Sequence, residues 1–380
     1  MNIQKNARDY SLDALRILCM FMIVTLHFIS HGGTLEFFSS NEISHYIILL
    51  FRSASICSVN TFVLISGYFM VSKNSINLKR LFSVIFAILF YSWLYMGINV
   101  LFLGVELDIK SMLSLLFPIS YKAYWFPTCY LFLYIISPFL NNLIRNLSLK
   151  SYRLLLVSLF VLFSISNELL VMSDPFSVEN GYSIAWFIFL YFLAGYIKLY
   201  GFKRRITRIY WTAIYIICVI LIFCADGILE FLSNYLTIII KYDLIHHFSR
   251  YCSILVLVAS VSLFMSFREI NVKNTFVVSF IKTLAPLTFG IYLIHDNFVV
   301  RNFLYFDLFK LNTLPHNLIA IPIIFLDILL VFVGAALIEW CRSKLFLVLE
   351  KSKKYNAIVD TIQHKLNVIL IDDQNCNEHN

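Results

Sequence analysis

The stretch "SLDALRILCMFMIVTLHFISHGG" (residues 11–33) decides the class of fold. Most of it is apolar, and about twenty apolar residues are what an α-helix needs to cross a bilayer. Yet it carries Asp13, Arg16, His27 and His31. An Arg at the centre of a spanning helix costs about 2.5–3.5 kcal/mol on insertion scales, so such residues usually face protein or a polar cavity. The stretch therefore predicts a membrane-spanning helix that carries charged and titratable side chains.

The composition of the whole chain indicates a polytopic membrane protein. Of the 380 residues, 60% are hydrophobic and 14% are charged, and the mean hydropathy is +0.81. Soluble domains have about 25% charged residues. The eight cysteines include no C-x-x-C pair, and no metal-ligand spacing occurs, so we expect neither a disulfide framework nor a metal site.

Ten apolar segments predict an all-α bundle of about ten transmembrane helices. An eleventh stretch, "LEFLSNYLTIII" (229–240), is broken by polar residues, and we assign it to an outside loop, with a re-entrant segment as the open alternative. We interpret His246 and His247, a little further on, as a solvated loop pair. The predicted helices are centred near residues 11–31, 46–71, 81–103, 124–143, 153–172, 183–200, 208–225, 249–267, 276–299 and 317–341.

The placement of the basic residues predicts the orientation in the membrane. With the N-terminus inside, most of the 30 Lys and Arg residues fall in inside segments and few fall outside. This bias is the positive-inside rule, so both termini are expected in the cytoplasm. The rule also explains the net charge of +8 without nucleic acid as a partner. We expect a membrane domain over residues 1–345 and a polar, weakly ordered cytoplasmic tail over residues 346–380.

The spacing within the first helix aligns Arg16 with His27. Eleven residues at about 100° each bring both side chains to nearly the same face, roughly 16 Å apart along the axis. Asp13 lies one turn before Arg16 and can hold its guanidinium. A cation near the cytoplasmic end of the helix and a proton acceptor deeper in the membrane indicate a path lined by polar side chains. The alternative, snorkelling charges and a structural histidine, remains open for this helix taken alone.

Polar residues recur in later segments, which favours a polar cavity inside the bundle. Arg52 and Asn60 lie within the second helix, and "AYWFPTCYLFLY" and "TFGIYLIHDNF" carry aromatic and histidine side chains in the fourth and ninth. Arg52 is open to two interpretations, an anionic-glycan contact or a simple ion pair.

These motifs, in this order, resemble the acyltransferase-3 family of integral membrane acyltransferases. The family's "LDxLRxxA…H" pattern corresponds to Leu12, Asp13, Leu15, Arg16 and His27. Its "FFxISGYL" pattern corresponds to "TFVLISGYFM", with Asn60 where many members have Pro. Its basic Arg-x-x-Arg is reduced here to Asn77-Leu78-Lys79-Arg80, so only the second Arg matches.

Two further motifs extend the resemblance from residue 8 to about residue 345. The "YWFxxxYL" pattern corresponds to Tyr124, Trp125, Phe126 and Tyr130, followed by Ser137–Pro138. The late "SxGIYLIH" pattern corresponds to "TFGIYLIH", ending at His295. Each motif alone is moderately specific, and their order along ten helices is the stronger signal.

The resemblance implies acyl transfer from a cytoplasmic acyl-CoA, usually acetyl-CoA, to a hydroxyl at the outer face. No bound cofactor is expected, because the acyl-CoA is a donor substrate. His27 and Arg16 are the expected catalytic residues, and Arg16, Lys79 and Arg80 are expected to bind the CoA phosphates. Ser66–Gly67 is interpreted as helix packing. The expected substrate-binding residues are Asp13, Asn60, Tyr124, Trp125, Tyr130, Tyr292 and His295, with structural packing as the open alternative for the aromatics and for His295.

The sequence therefore predicts an O-acetyltransferase of a bacterial surface polysaccharide, such as a capsule or O-antigen, in the cytoplasmic (inner) membrane. Its partners would be acyl-CoA, a surface glycan or lipid-linked oligosaccharide, and the bilayer. One alternative is an exporter or flippase of a surface glycan, which gives no specific reason for Arg16 and His27 on one helix face. The other is an acyltransferase for a small-molecule acceptor, which shares the chemistry.

Overall fold

A computed structural model describes residues 8–39, 42–104, 106–170, 173–202, 206–235 and 242–376, which form helices and loops and contain no β-strand. Within these ranges, nine helices are long and apolar enough to cross a membrane, and a tenth, Ile184–Leu199, is shorter. The predicted polytopic all-α bundle of about ten helices is thus confirmed. These helices, α1 to α10, are Tyr10–Ser30, Ile43–Met70, Leu78–Leu103, Trp125–Asn146, Leu149–Leu169, Ile184–Leu199, Arg208–Ser233, His247–Arg268, Thr275–His295 and Ala320–Leu347.

Short helices occupy several of the connections. The short helices are Thr34–Phe37, Ile109–Leu116, Glu179–Gly181, Tyr242–Ile245, Phe298–Asn302 and Leu311–Thr313.

The loop assignment of residues 229–240 is wrong for its first part. The helix of α7 continues to Tyr235, so the polar Ser233 lies within it. A helix tolerates such residues because its backbone groups are already paired internally. Residues 236–241 lie outside the described part of the chain.

The expectation of a weakly ordered tail is also wrong. Residues Lys353–Cys376 form a helix, α11, and α10 itself continues to Glu350, past the predicted boundary at residue 345. The Gln363 side chain accepts a hydrogen bond from the Leu78 backbone N–H at 2.8 Å and donates one to the Ile76 carbonyl at 2.9 Å. These bonds satisfy backbone groups at the start of α3, which is the reason α11 docks there.

The helices divide into a buried centre and a lipid-exposed periphery. In the apolar windows of α2, α1 and α8, 78%, 67% and 67% of residues are buried, against 11% in α5 and 22% in α7. Gly67 brings α2 against α6, where an added Cβ would lie 2.9 Å from the Ala194 Cβ. Ser66 Oγ donates to the Phe62 carbonyl at 3.0 Å within its own helix. Ser66–Gly67 therefore serves close helix packing, as small residues do in membrane bundles.

Candidate active site

Helix α1 carries polar residues at both of its ends. Asp9 caps its start by accepting hydrogen bonds from the backbone N–H groups of Ser11 and Leu12, and the helix runs unbroken from Tyr10 to Ser30. An unbroken helix keeps Arg16 and His27 on nearly one face, about 16 Å apart. The site therefore has an Arg16 end and a His27 end, separated by about half the length of α1.

A chain of two hydrogen bonds fixes the proton positions on the paired histidines. His295 Nδ1 lies 2.6 Å from the Ile291 carbonyl oxygen, which can only accept, so Nδ1 carries the proton. The opposite nitrogen, His295 Nε2, is then an acceptor, and it lies 2.9 Å from His27 Nδ1. His27 Nδ1 must therefore donate. In this network neutral His27 carries its free lone pair on Nε2.

A buried carboxylate adjoins the histidines. Asp296 Oδ1 lies 3.4 Å from His27 Nδ1 and 3.6 Å from His31 Nε2, and Arg301 Nη2 donates to the same oxygen at 2.8 Å. Asp296 is 3% exposed, so the guanidinium offsets a charge that water reaches poorly. His31 lies just beyond the end of α1. Burial lowers the pKa of His31, Arg301 acts in the same direction, and Asp296 opposes both.

Two tyrosine hydroxyls hold the backbone that carries His295 and Asp296. Tyr95 donates to the Ile294 carbonyl at 2.9 Å, and Tyr124 donates to the Leu293 carbonyl at 3.3 Å. The Tyr124 oxygen also accepts a hydrogen bond from Asn297 Nδ2 at 2.7 Å. The hydroxyl of Tyr124 is therefore occupied by the protein, which makes it a positioning group rather than a free donor.

Tyr292 lies beside His27, and its hydroxyl, unlike that of Tyr124, is not held by the protein backbone. The ring centroids of Tyr292 and His27 are 5.9 Å apart in an edge-on arrangement. The Tyr292 hydroxyl is buried and forms no hydrogen bond of good geometry within the part of the chain that the structure describes, although the Asp296 carboxylate lies close to it. A buried hydroxyl without a well-aligned partner is costly, so a bound molecule is the natural acceptor for it.

A basic cavity of about 550 Å³ lies at the Arg16 end. Asp13 accepts hydrogen bonds from Arg16 at 2.7 Å and from Arg8 at 2.6 Å, which confirms the expected Asp13–Arg16 pair. Five cations and two carboxylates contribute to the lining, so the cavity has an excess of positive charge. The charged lining residues are Arg8, Asp9, Asp13, Arg16, Lys73, Arg80 and Lys198.

The structure brings most of the predicted residues to one of these two places. Arg16, Asp13 and Arg80 line the cavity, and the Tyr130 hydroxyl accepts a bond from Arg80 Nη2 at 3.4 Å. Tyr130 therefore contacts a residue of the cavity lining without lining the cavity itself. The residues gathered around His27 are Tyr124, Tyr292 and His295.

Two predicted residues lie outside both places. Lys79 forms an exposed ion pair with Asp360 of α11 at 2.9 Å and is not part of the cavity lining. Asn60 is fully buried, donating to the Tyr251 carbonyl at 2.8 Å and accepting from Trp186 Nε1 at 2.9 Å. Both ends of its amide are thus used to join helices.

Trp125 belongs to an aromatic group at the His27 end of the bundle. Its ring centroid lies 4.5 Å from that of Tyr182 and 6.0 Å from that of Tyr251, and the Trp125 and Tyr251 rings are nearly parallel. Tyr182 is 43% exposed, whereas Tyr251 is buried. The group therefore connects the surface with the interior near the histidines.

Arg52 is part of a separate buried cluster. Arg52 Nη1 lies 2.7 Å from Asp226 Oδ2, which also accepts hydrogen bonds from Ser249 Oγ and His246 Nδ1, each at 2.9 Å. The sequence leaves Arg52 open to two interpretations, an anionic-glycan contact or an ion pair, and the structure shows the ion pair. His246 and His247 are both buried, so their interpretation as a solvated pair is wrong.

Six charged residues of the two places were missed as site residues from the sequence: Arg8, Asp9, Lys73, Lys198, Asp296 and Arg301. Asp296 had a signal, since it directly follows His295 in an apolar motif. Lys73 follows the "ISGYFM" motif closely, which is a weaker signal. Arg301 and Lys198 have no local signal, because a basic residue at a helix end is common in any membrane protein.

Comparison with known proteins identifies the family of the chain. A family model described as an acyltransferase domain matches residues 9–340. The protein is therefore a multi-pass membrane acyltransferase. More narrowly, the chain belongs to the acyltransferase-3 family, as its motifs indicated. Searches of curated proteins and of solved structures gave no match.

Proposed function

We propose that this protein is an O-acetyltransferase that moves an acetyl group from cytoplasmic acetyl-CoA to a hydroxyl of a bacterial surface polysaccharide. The observation that carries the proposal is the hydrogen-bond chain from Ile291 through His295 to His27. It leaves a lone pair on His27 Nε2, at the far end of a helix that starts in a basic cavity. A base and an anion-binding cavity on one helix face are what transfer from acyl-CoA requires.

The donor would bind in the basic cavity from the cytoplasm. Coenzyme A carries several phosphate groups, and the cavity offers Arg8, Arg16, Lys73, Arg80 and Lys198. Arginines suit phosphate because their planar guanidinium groups can bind two oxygens at once. The positive-inside rule supports the orientation of this end toward the cytoplasm, in the inner membrane. From there the pantetheine arm would extend along α1 toward His27.

The chemistry would be carried out at the His27 end. The oxygen of the sugar hydroxyl attacks the carbonyl carbon of the thioester, and His27 Nε2 takes the proton of that hydroxyl. The Tyr292 hydroxyl donates to the oxyanion of the tetrahedral intermediate and stabilises it. Asp296, 3.4 Å from His27 Nδ1, stabilises the imidazolium. The C–S bond then breaks, and the leaving thiolate takes the proton from His27 Nε2.

The aromatic group of Trp125, Tyr182 and Tyr251 supports a sugar as the acceptor. These rings lie at the His27 end, and Tyr182 is accessible at the surface. Aromatic rings with a polar tip give a carbohydrate both an apolar face and hydrogen bonds. A growing or lipid-linked glycan at the outer face of the membrane could reach His27 past them.

The test compares a strain lacking the gene with the same strain restored by the wild-type gene. O-acetyl groups on the purified surface polysaccharide are measured by NMR, together with the amount of polysaccharide at the surface. The proposal predicts that acetyl signals vanish without the gene and return with it, at unchanged polysaccharide amount. Unchanged acetylation with less polysaccharide at the surface would support the exporter. Unchanged acetylation at unchanged amount would support a small-molecule acceptor.

A further inference from the structure

His27, His31 and Asp296 form a compact donor group at the end of α1. Their ligand atoms all lie within 4.8 Å of one another. The two histidines are four residues apart, which puts both rings on one helix face, the spacing by which helical His-x-x-x-His pairs hold zinc. The third donor comes from beyond the end of α9, which explains why the sequence alone indicates no metal site.

The distances suit a tetrahedral metal ion. Ligand atoms at about 2.0–2.2 Å from a zinc ion lie roughly 3.4 Å from each other. Asp296 Oδ1 lies 3.4 Å from His27 Nδ1 and 3.6 Å from His31 Nε2. His31 is partly exposed, so its ring can rotate to bring the third pair of atoms to the same spacing.

We propose that this group binds a transition-metal dication, Zn²⁺ in the first place, and that the bound metal inhibits the enzyme. Two imidazoles and one carboxylate are a donor set that zinc accepts, with its fourth position left for water. Arg301 donates to the same Asp296 oxygen at 2.8 Å. The Asp296 carboxylate has enough lone pairs to bind the metal and Arg301 at the same time, so Arg301 can orient the carboxylate. The positive charge of Arg301 keeps metal binding weak and reversible.

Inhibition follows from the proton on His27, and this part rests on the proposed function. A metal binds His27 Nδ1 only after that nitrogen has lost its proton, and with the proton its hydrogen bond to His295 Nε2. The neutral ring then carries its proton on Nε2. The lone pair that would accept the proton of the sugar hydroxyl is gone, so the metal-bound state cannot act as the base.

The test uses purified full-length protein and three chains: wild type, His31→Gln and His364→Gln. His364 is an exposed histidine of α11, far along the chain from the cluster, and serves as the matched control. Each protein is titrated with Co²⁺, whose visible absorption reports tetrahedral coordination, and the bound Co²⁺ is then displaced with Zn²⁺. Zn²⁺ inhibition of acetyl transfer, and its reversal by a chelator, are measured on the same three proteins.

We expect one saturable Co²⁺ site in wild type and in His364→Gln, and binding weakened by more than about tenfold in His31→Gln. The same variant should keep its transfer activity and lose its sensitivity to Zn²⁺. Absence of Co²⁺ binding in wild type, or equal binding in all three, overturns the metal site. If Co²⁺ binding depends on His31 but bound Zn²⁺ does not inhibit acetyl transfer, the metal site is supported and the inhibition is overturned. The same result overturns the proposed role of His27 as the base.

Discussion

His27 Nδ1 and His295 Nε2 lie 2.9 Å apart although 268 positions separate the two residues in the sequence. The contact joins α1 to the end of α9. Because His295 is itself held by the Ile291 carbonyl at 2.6 Å, the contact determines which nitrogen of His27 is free. His295 is thus a positioning residue in the proposed mechanism, acting through His27.

Replacing His295 by Ala should lower kcat by about a hundredfold or more, because His27 is then no longer held with its lone pair on Nε2. The KM for acetyl-CoA should change little, since the basic cavity lies at the other end of α1. Steady-state kinetics on purified protein measures both. His364→Ala, an exposed histidine, is the control. An unchanged kcat would show that His295 has no positioning role.

Replacing Arg80 by Ala should raise the KM for acetyl-CoA by roughly tenfold or more, because a charged hydrogen bond to phosphate is worth about 1.5–3 kcal/mol. Lys79→Ala is the matched control, since Lys79 pairs with Asp360 outside the cavity. Comparing acetyl-CoA with acetyl-dephospho-CoA tests whether the 3′-phosphate is the group bound. Equal effects of the two substitutions would contradict this assignment of the cavity.

Replacing Gly290 by Ala should destabilise the protein by about 1–3 kcal/mol through overpacking. An added Cβ would overlap with the Glu339 carboxyl carbon. Glu339 cannot easily give way, because it also binds Arg342 and the Tyr91 hydroxyl. Thermal unfolding in detergent measures the effect.

The matched control for Gly290→Ala is Gly97→Ala, in the helical part of α3. An added Cβ there meets nothing within 4 Å, so the substitution should be neutral or stabilise by up to about 1 kcal/mol. If both variants unfold at the same temperature, Gly290 is not needed for the close contact of α9 with α10.

Replacing Asp226 by Asn should destabilise the protein by about 3–5 kcal/mol, because it leaves the buried Arg52 guanidinium without its counter-charge. Asp360→Asn breaks the exposed pair with Lys79 and should cost about 0–1 kcal/mol. Unfolding midpoints of the two variants provide the comparison. A small effect at Asp226 would mean that water reaches Arg52.

Much of the fold could be predicted from the sequence, because a bilayer imposes one strong rule on every spanning segment. Each must be helical and apolar over about twenty residues, and nearly every such segment was found. The errors came at α7 and α11, where the helices contain polar residues. Hydropathy detects lipid contact, whereas α11 is a mostly polar helix held by the Gln363 side chain and by the buried Val359.

The site could be predicted where its parts share one helix. That Arg16 and His27 share one helix face follows from helical periodicity, whereas their roles come from the family resemblance and stay predictions. The partner of His27 could not be inferred, because no local pattern says which distant residue packs against it. For Asn60, the sequence could not show whether the side chain binds substrate or joins helices, because the pattern around a buried Asn is the same in both cases. In the structure Asn60 joins Trp186 to Tyr251.

The central claim is that His27 accepts the substrate proton. The most direct measurement compares the O-acetyl content of surface polysaccharide from cells that produce His27→Gln or His31→Gln at equal membrane levels. The two histidines lie one helical turn apart, so general disturbance of this end of α1 should affect both variants. The account predicts acetylation lowered by about 10²–10⁴-fold in His27→Gln and retained in His31→Gln. Normal acetylation in His27→Gln would contradict it.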